Sequence, residues 1–315
     1  MKNLHKKKVL ITGGCGAIGQ NLVKFLIDKK YEVSVIDNLS SGYSQDISNN
    51  VNFYNFDISN NQNLKKIFKK KFYAVIHLAA FFANQNSVEK PKNDLKTNGL
   101  GTLNIIKLCD EFKVKKLIYA SSSCVYGNQK NMKETNVNFK PETPYAITKL
   151  LGEYYCKFFS ENIKTNITII RIFNSYGPGE RPGKYRNVIP NFIYRAINNQ
   201  DIIITGSGKE VRDFTFVDDI ILGIYKILIS NKIKSGEIFN LGSGKVTTIL
   251  NLVKNILKIT NSKSKIIFAK KRSWDNIKIR KANISKSKRL LNYKPKWKLE
   301  KGLFKTVKWI KNLKN

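Results

Sequence analysis

A tyrosine and a lysine stand four positions apart in "YAITK", residues 145–149. On a helix that spacing puts both side chains on one face, one turn apart. A phenol beside an ammonium can give and take a proton, because the positive charge favours the phenolate. At roughly 4 Å and an effective dielectric of about 20, one unit charge is worth about 4 kcal/mol, near three pK units off a phenol value of about 10. Thr143 suits a helix cap and Pro144 the first helical position, and "ITKLLGEYYCKFF" holds no helix breaker but Gly152. Taken alone, the pair better suits a buried ring beside a solvated ammonium. The rest of the chain has to decide.

A second chemical signal is "TGGCGAIG". Gly14, Gly16 and Gly19 fit a GxGxxG pattern, and Gly13, Gly16 and Gly19 fit GxxGxxG. Glycines here permit a tight turn, close backbone approach to a pyrophosphate and close helix packing, while the following helix N-terminus offers amide donors and a positive dipole end. Such a string is weak evidence by itself; its context strengthens it. The run "KVLIT" precedes it, an apolar 3.6-period segment follows it (Ile18, Leu22, Leu26), and Asp37 ends the next strand. A carboxylate at Asp37 accepts from adenosine ribose hydroxyls and repels a 2′-phosphate, which favours NAD over NADP. Asp57 in "NFDIS" suits either an acceptor for the adenine amino group or a helix N-cap.

The elements that must position these residues alternate. "KVLIT", "YEVSVIDN", "VNFYNFD", "YAVIHLAA", "KKLIYASSS" and "NITIIRIFN" read as strands, separated by helical segments such as "NQNLKKIFKK" and the long "DLKTNGLGTLNIIKLCDEF". That order predicts an α/β fold with a Rossmann-type, doubly wound parallel sheet. "SYGPGERPGKYRN" breaks the pattern as a Gly/Pro-rich loop, after which "FTFVDDIILGIYKILI" reads as a helix and "GEIFNLGS" as a last strand. The remainder forms a smaller C-terminal lobe.

Composition narrows the function. Lys and Arg number 57 against 22 Asp and Glu, a formal net charge of +35. Such a field attracts polyphosphates, yet the lysines run from end to end, as chain-wide bias does. Arginine, the better bidentate phosphate ligand, is confined to Arg171, Arg181, Arg186, Arg195, Arg212, Arg272, Arg280 and Arg289. His5 and His77 are the only histidines, and Cys15, Cys109, Cys124 and Cys156 show no metal spacing. No bound metal is expected. Neither "VLIT" nor "IILGIYKILI" is long enough for a signal-peptide core or a membrane span, so the expectation is a soluble cytoplasmic protein with no membrane and no specific nucleic-acid partner.

Taken together, "TGGCGAIG", "DNLSSG", "HLAA", "YASSSCVYG", "YAITK", "RIFNSYGPG", "VRDFTFVDD" and "FNLGSG" resemble the extended short-chain dehydrogenase/reductase family, in its NAD-dependent nucleotide-sugar epimerase/dehydratase branch. The resemblance implies that Tyr145 is the catalytic acid/base, that Lys149 binds the nicotinamide ribose and lowers the tyrosine's pKa, and that Ser122 holds the reacting oxygen, with Ser121 and Ser123 alternatives one position away. It implies NAD contacts from Gly13, Gly16, Ala17, Ile18, Gly19, Asp37, Asn38, Gly42, Asp57, Ile58, Leu78, Ala79 and Ala80, with Asn98 bracing the active-site helix. For the substrate it implies Ser123, Asn174, Asn187, Val188 and Arg212, with Arg272 in a segment that matches through a one-residue insertion. It divides the chain into an NAD-binding domain at 1–173, rejoined by 214–242, and a nucleotide-sugar lobe at 174–213 and 243–315. It suggests a homodimer through helices carrying Leu103 and Tyr155.

Members of that branch begin alike, with a C4 hydroxyl proton going to the tyrosine and the C4 hydride to NAD. Dehydratases and UDP-glucuronate decarboxylases then use acids just after the catalytic hydroxyl. Here those positions hold Ser123 and Cys124. The expected reaction is therefore 4-epimerisation of a nucleotide-diphosphate sugar, as in enzymes like UDP-glucose 4-epimerase. A 4,6-dehydratase or decarboxylase drawing its acid from elsewhere is the alternative. "HLAAFFANQNSV" departs from the commoner "HLAAQ", which keeps a C3/C5 epimerase or reductase open. A non-enzymatic module binding NAD or nucleic acid on a borrowed fold is the remote alternative.

Overall fold

The computed structural model describes residues 7–44, 48, 50–135, 141–272 and 277–313. The basic stretch ahead of the first strand, at 1–6, lies outside the described residues. β1 (Lys8–Thr12), β2 (Glu32–Asp37), β3 (Asn52–Asn55), β4 (Ala74–His77), β5 (Lys116–Ser122) and β6 (Asn166–Ile172) join the strand Glu237–Leu241 in one seven-stranded sheet. Its order is Glu237–Leu241, β6, β5, β4, β1, β2, β3, and every neighbouring pair is parallel. Val9, Leu10 and Ile11 are all at 0 % exposure, with Leu10 packing on one side of the sheet and Val9 and Ile11 on the other. That explains why β1 reads as an unbroken apolar run: helices cover both faces.

The strand order reverses between β1 and β4. In a doubly wound sheet the carboxyl ends of the strands flanking that reversal leave a crevice. β1 ends in the glycine turn and β4 in "HLAA", so the two motifs border it from the two sides.

The helix Pro144–Asn162 lies against β5 and β6 and starts as its residues dictate: the Thr143 hydroxyl accepts from the Ala146 amide at 3.2 Å and Pro144 takes the first turn. Gly152, the apparent breaker, is required by packing. A Cβ there would come within 2.2 Å of the Tyr119 Oη, which instead donates to the Lys149 carbonyl at 3.2 Å. One residue further on, Glu153 is buried and accepts from Arg171 on β6 (Nη2 at 2.6 Å, Nε at 2.9 Å) and from the Ser121 hydroxyl on β5 at 2.5 Å.

Two helix boundaries differ from the sequence reading. The expected long helix through "DLKTNGLG" is helical from Pro91 to Glu111 but widens into a π-helical stretch over Leu95–Gly101. Gly101 there packs on Ile58, and Asn98 turns its amide inward. The helix expected from "FTF" onward begins at Val217, because Thr215–Phe216 pair in parallel with Ser175–Tyr176. The smaller lobe holds a three-stranded ribbon: Val211–Arg212 lies between antiparallel Thr247–Thr248 and parallel Ile279–Arg280. Leu103 and Tyr155 share a shallow apolar depression with Leu151, Tyr154 and Phe158. Among the described residues, no helix is long and apolar enough to cross a membrane.

Removing one partner of a buried, hydrogen-bonded ion pair strands the other charge, which typically costs about 3–5 kcal/mol. Glu153→Ala is expected to lose that much stability in urea unfolding. A loss below about 1 kcal/mol would show that the pair is dispensable.

Candidate active site

The strand-end crevice opens into a cavity of about 1030 Å³ shared by the sheet and the smaller lobe. At its floor the first turn of α1 (Ala17–Asp28) has no side-chain cap. Gly13 adopts φ +74, and a Cβ there would lie 2.6 Å from the Ala79 amide nitrogen, so only glycine lets the β1 turn close on "HLAA". Gly13, Gly16 and Gly19 line the cavity, whereas Gly14 faces Val35 in the sheet. Between the two glycine patterns, GxxGxxG is therefore the one that faces the crevice.

At one end of the cavity Asp37 accepts from the Cys15 amide (2.9 Å) and the Leu39 amide (2.8 Å). Burial nevertheless leaves its pKa raised, with those hydrogen bonds opposing the shift. Asp57 accepts from the Ser59 amide and the Asn38 side chain, both at 2.8 Å. Burial pushes its pKa up, but hydrogen bonds from Ser59 and Asn38 and the charge of Lys96 leave it lowered overall. The helix cap after it is Asn60, so Asp57 is not the N-cap. Ala17, Ile18, Asn38, Ile58, Leu78, Ala79 and Ala80 also line the cavity. Gly42 is not among the lining residues; it backs onto the Cys15 carbonyl, where a Cβ would approach to 2.4 Å.

The opposite end carries the proton chemistry. Ser122, Tyr145 and Lys149 meet where β5 ends against the helix Pro144–Asn162. Tyr145 is hydrogen-bonded to the Ser122 side chain, whose oxygen also accepts from the Cys124 amide at 3.2 Å. Ser121 is committed to Glu153, whereas Ser122 bonds to Tyr145 and Ser123 stands beside it in the wall. Lys149 Nζ donates to the Ala120 carbonyl at 2.9 Å and lies 5.8 Å from the Tyr145 ring centre. Phe82, where the "HLAA" loop departs from the commoner form, sets its ring edge-on to Tyr145 at 6.0 Å.

A buried brace holds this helix to the loop. Asn98 accepts from the Phe81 amide at 2.8 Å and donates to Asp94 at 2.8 Å, and Asp94 accepts from the Thr148 hydroxyl at 2.6 Å. Asn98 thus works from behind the cavity wall and does not line it. His77 sits between Thr12 (2.6 Å) and Thr102 (3.0 Å), and burial pushes its pKa down to about 3, so it remains neutral.

The expected lowering of the Tyr145 pKa is not supplied by the protein's own groups. Burial, with the neighbouring Cys124 and Asp94, pushes the phenol above its ordinary 10.0, and only the Ser122 hydrogen bond opposes this. Lys149 is itself pushed down to about 8 by burial, against the carboxylate of Asp94. It therefore sheds its charge before a buried phenol ionises.

The lobe side contributes Asn174, Asn187, Val188, Arg212 and Arg272 to the lining. Asn174 donates to the Asp213 carbonyl at 3.0 Å, and Asn187 is held by Glu180 through its amide (3.0 Å) and side chain (3.2 Å). Arg212 donates to the Val211 carbonyl at 3.0 Å. The sequence reading missed a bridge across the cavity mouth. Lys184 and Tyr185 reach Glu89 at 3.1 and 2.6 Å, Arg186 donates to the Ser41 carbonyl, and Arg181 stacks over Tyr43 at 4.2 Å. It also left Arg280 and Glu142, both lining residues, without a role. The scarcity of arginine in so lysine-rich a chain was the available signal for Arg181, Arg186 and Arg280.

An uncapped helix start at a glycine turn, two carboxylates at the far end and a Ser–Tyr–Lys group opposite define a dinucleotide-binding enzyme of the Rossmann class. The chain belongs to the NAD dependent epimerase/dehydratase family, whose model matches residues 9–242. An epimerase from Methanothermobacter thermautotrophicus is 40% identical with a TM-score of 0.95, over 98% of this chain and 93% of that one. UDP-glucuronic acid 4-epimerase from Bacillus cereus, solved with UDP-glucuronic acid and NAD, is 30% identical with a TM-score of 0.89, over 97% and 99%. A UDP-N-acetyl-alpha-D-glucosaminuronate decarboxylase of Bacillus cytotoxicus is 32% identical over 98% of this chain and 99% of its own length.

The protein is thus an NAD-binding enzyme that acts on nucleotide sugars. NAD supplies a hydride acceptor and a fixed positive charge at its nicotinamide. Tyr145, hydrogen-bonded to Ser122, and Lys149, anchored on the Ala120 carbonyl, form a group whose chemistry suits proton transfer with a sugar hydroxyl.

Tyr145→Phe keeps the ring and removes the proton carrier, so turnover should fall roughly 10²–10⁴-fold while released-NAD absorbance shows the cofactor retained. Unchanged turnover would remove Tyr145 from the chemistry. Lys149 gives a second expectation. With a folded pKa of about 8 below the ordinary 10.5, the burial penalty is complete below pH 8 and fades as pH rises to 10.5, where the native state sheds a charge the unfolded chain still holds. Relative to Lys149→Met, the parent should gain about 3 kcal/mol over that window in urea unfolding. A constant difference across it would contradict the burial of a charged lysine.

Proposed function

We propose that the enzyme is a nucleotide-sugar 4-epimerase: C4 of the sugar is oxidised to a ketone and then reduced from its other face, with NAD restored. The observation that carries this reading is the wall beside Ser122. Ser123 and Cys124 follow it, and the Cys124 thiol accepts hydrogen bonds from Arg280 (3.3 Å) and Asn84 (3.7 Å). No carboxylate follows the catalytic hydroxyl to remove a C5 proton, and without C5 chemistry the ketone's simplest fate is hydride return. The two epimerases described above support the same choice, and the ligand bound to the second supports uridine diphosphate as the nucleotide.

One observation favours a second reading, as a lyase. Glu142 lines the cavity and its buried Oε2 has no hydrogen-bond partner, which offers a carboxylate from outside the serine turn, and the decarboxylase relative fits that alternative. Incubating the NAD-loaded protein with UDP-glucose, UDP-N-acetylglucosamine and UDP-glucuronate, followed by product separation, decides between them. Equilibrating C4 epimers are expected. Loss of water or CO₂ would replace the epimerase reading with the lyase one.

A further inference from the structure

Asp94 is buried where the short helical turn Pro91–Asp94 runs into the π-helical stretch Leu95–Gly101. Its Oδ1 accepts from the Asn98 side chain at 2.8 Å and its Oδ2 from the Thr148 hydroxyl at 2.6 Å. Both partners donate, which suits an ionised carboxylate that can only accept. Asn98 uses its own oxygen to accept from the Phe81 amide, so its nitrogen is fixed toward Asp94. Neutral side chains would brace the helix as well. A carboxylate at 0 % exposure is instead costly unless a second charge answers it.

That second charge is Lys149. It follows Thr148 on the helix Pro144–Asn162, and each of the two groups favours the other's charged form. The other groups facing the ammonium differ in charge. Its own helix brings Tyr145, Glu153 and Cys156; β5 brings the Tyr119 ring at 5.2 Å, with the Cys124 thiol just beyond the strand; β4 brings His77. His77 is neutral, and burial keeps Tyr119 and Cys156 protonated. Glu153 is paired with Arg171. Of the charges that oppose burial at Lys149, that of Asp94 is the largest.

We propose that Asp94 is the buried counter-ion of Lys149 and a positioning residue for proton transfer: it keeps the ammonium charged beside the phenol and so sets the pH range in which the pair works. The inference rests on Tyr145 and Lys149 as the proton-transfer pair and is the same for an epimerase or a lyase. Neutralising Asp94 removes the main opposition to burial at the lysine and a charge that adds to burial at the tyrosine. Both groups then titrate at lower pH.

The test uses the NAD-loaded protein and two variants: Asp94→Asn keeps the shape and loses the charge, and Thr148→Val keeps the charge and loses the hydrogen bond. Urea unfolding is followed from neutral to strongly alkaline pH, in each case with and without Lys149→Met. The gain over Lys149→Met sets in where the folded lysine sheds its proton. On Asp94→Asn that onset should fall by about one pH unit or more, whereas Thr148→Val should leave it in place. An onset that stays fixed, or moves equally in both variants, overturns the proposal and leaves Asp94 a brace alone. If Asp94→Asn by itself does not fold, the double variant with Lys149→Met, which strands no charge, should fold; a double variant that stays unfolded also overturns it. With UDP-glucose or UDP-glucuronate as substrate, the alkaline limb of kcat should move down with the onset, and a fixed limb removes Asp94 from the reaction. Unchanged turnover in Tyr145→Phe beside a shifted onset defeats the reading of the pair alone, whereas lost turnover beside a fixed onset defeats this proposal alone.

Discussion

The carboxylate of Glu153 is the point on which the reacting end of the cavity depends. It receives the Arg171 guanidinium from β6 and the Ser121 hydroxyl from β5, so one helix residue is tied to two neighbouring strands. Tyr145, Lys149 and Glu153 follow one another at four-residue spacing on one face of the helix. Anchoring the third fixes the height and rotation of the first two over the strand ends. The same bond occupies the Ser121 hydroxyl, while Ser122, next along β5, faces the phenol. An ion pair of this kind adds little net stability compared with apolar packing, because desolvation consumes most of the attraction. Its value in this fold is positional.

That dryness also sets the electrostatics. Burial raises the Tyr145 pKa and lowers that of Lys149, in both cases as the leading cause, so the protein alone keeps the phenol protonated and brings the lysine's titration close to neutral pH. The surface excess of lysine, although large, does not relieve this. The +35 formal charge is dispersed over solvated side chains, where screening at physiological salt acts within about 8 Å. The buried carboxylate of Asp94 opposes burial for the lysine and adds to it for the tyrosine. The protein's own groups thus leave the phenol protonated, and a further positive charge beside it would favour its ionisation.

Much of this architecture was legible along the chain because it depends on local periodicity. Apolar strand runs alternating with helical segments implied the parallel sheet, and a strand, glycine turn, helix and strand-end acid implied the dinucleotide floor. Thr143 and Pro144 announced the helix that carries Tyr145. What escaped the reading is non-local. Choosing among Ser121, Ser122 and Ser123 required knowing that Glu153 folds back onto the first of them. The placement of Arg280 arises from a two-residue strand paired with another nearly 70 positions away, too short for any periodic signature. The direction of the Tyr145 shift depends on burial, which the spacing of a phenol and an ammonium does not encode. Gly42 illustrates the converse: the resemblance implied a ligand contact, and its small size serves backbone packing against Cys15.

The bridge over the cavity mouth carries a consequence for its response to salt. Its loop grips Ser41 and Tyr43 beside the adenosine end through Arg186 and Arg181, and Glu89 near the catalytic end through Lys184 and Tyr185. Both anchorages use cations, and the exposed Lys184–Glu89 ion pair weakens as ionic strength rises. At Glu89 the loop is therefore held more loosely as salt rises, whereas at Ser41 and Tyr43 it rests on a carbonyl and a ring that carry no net charge.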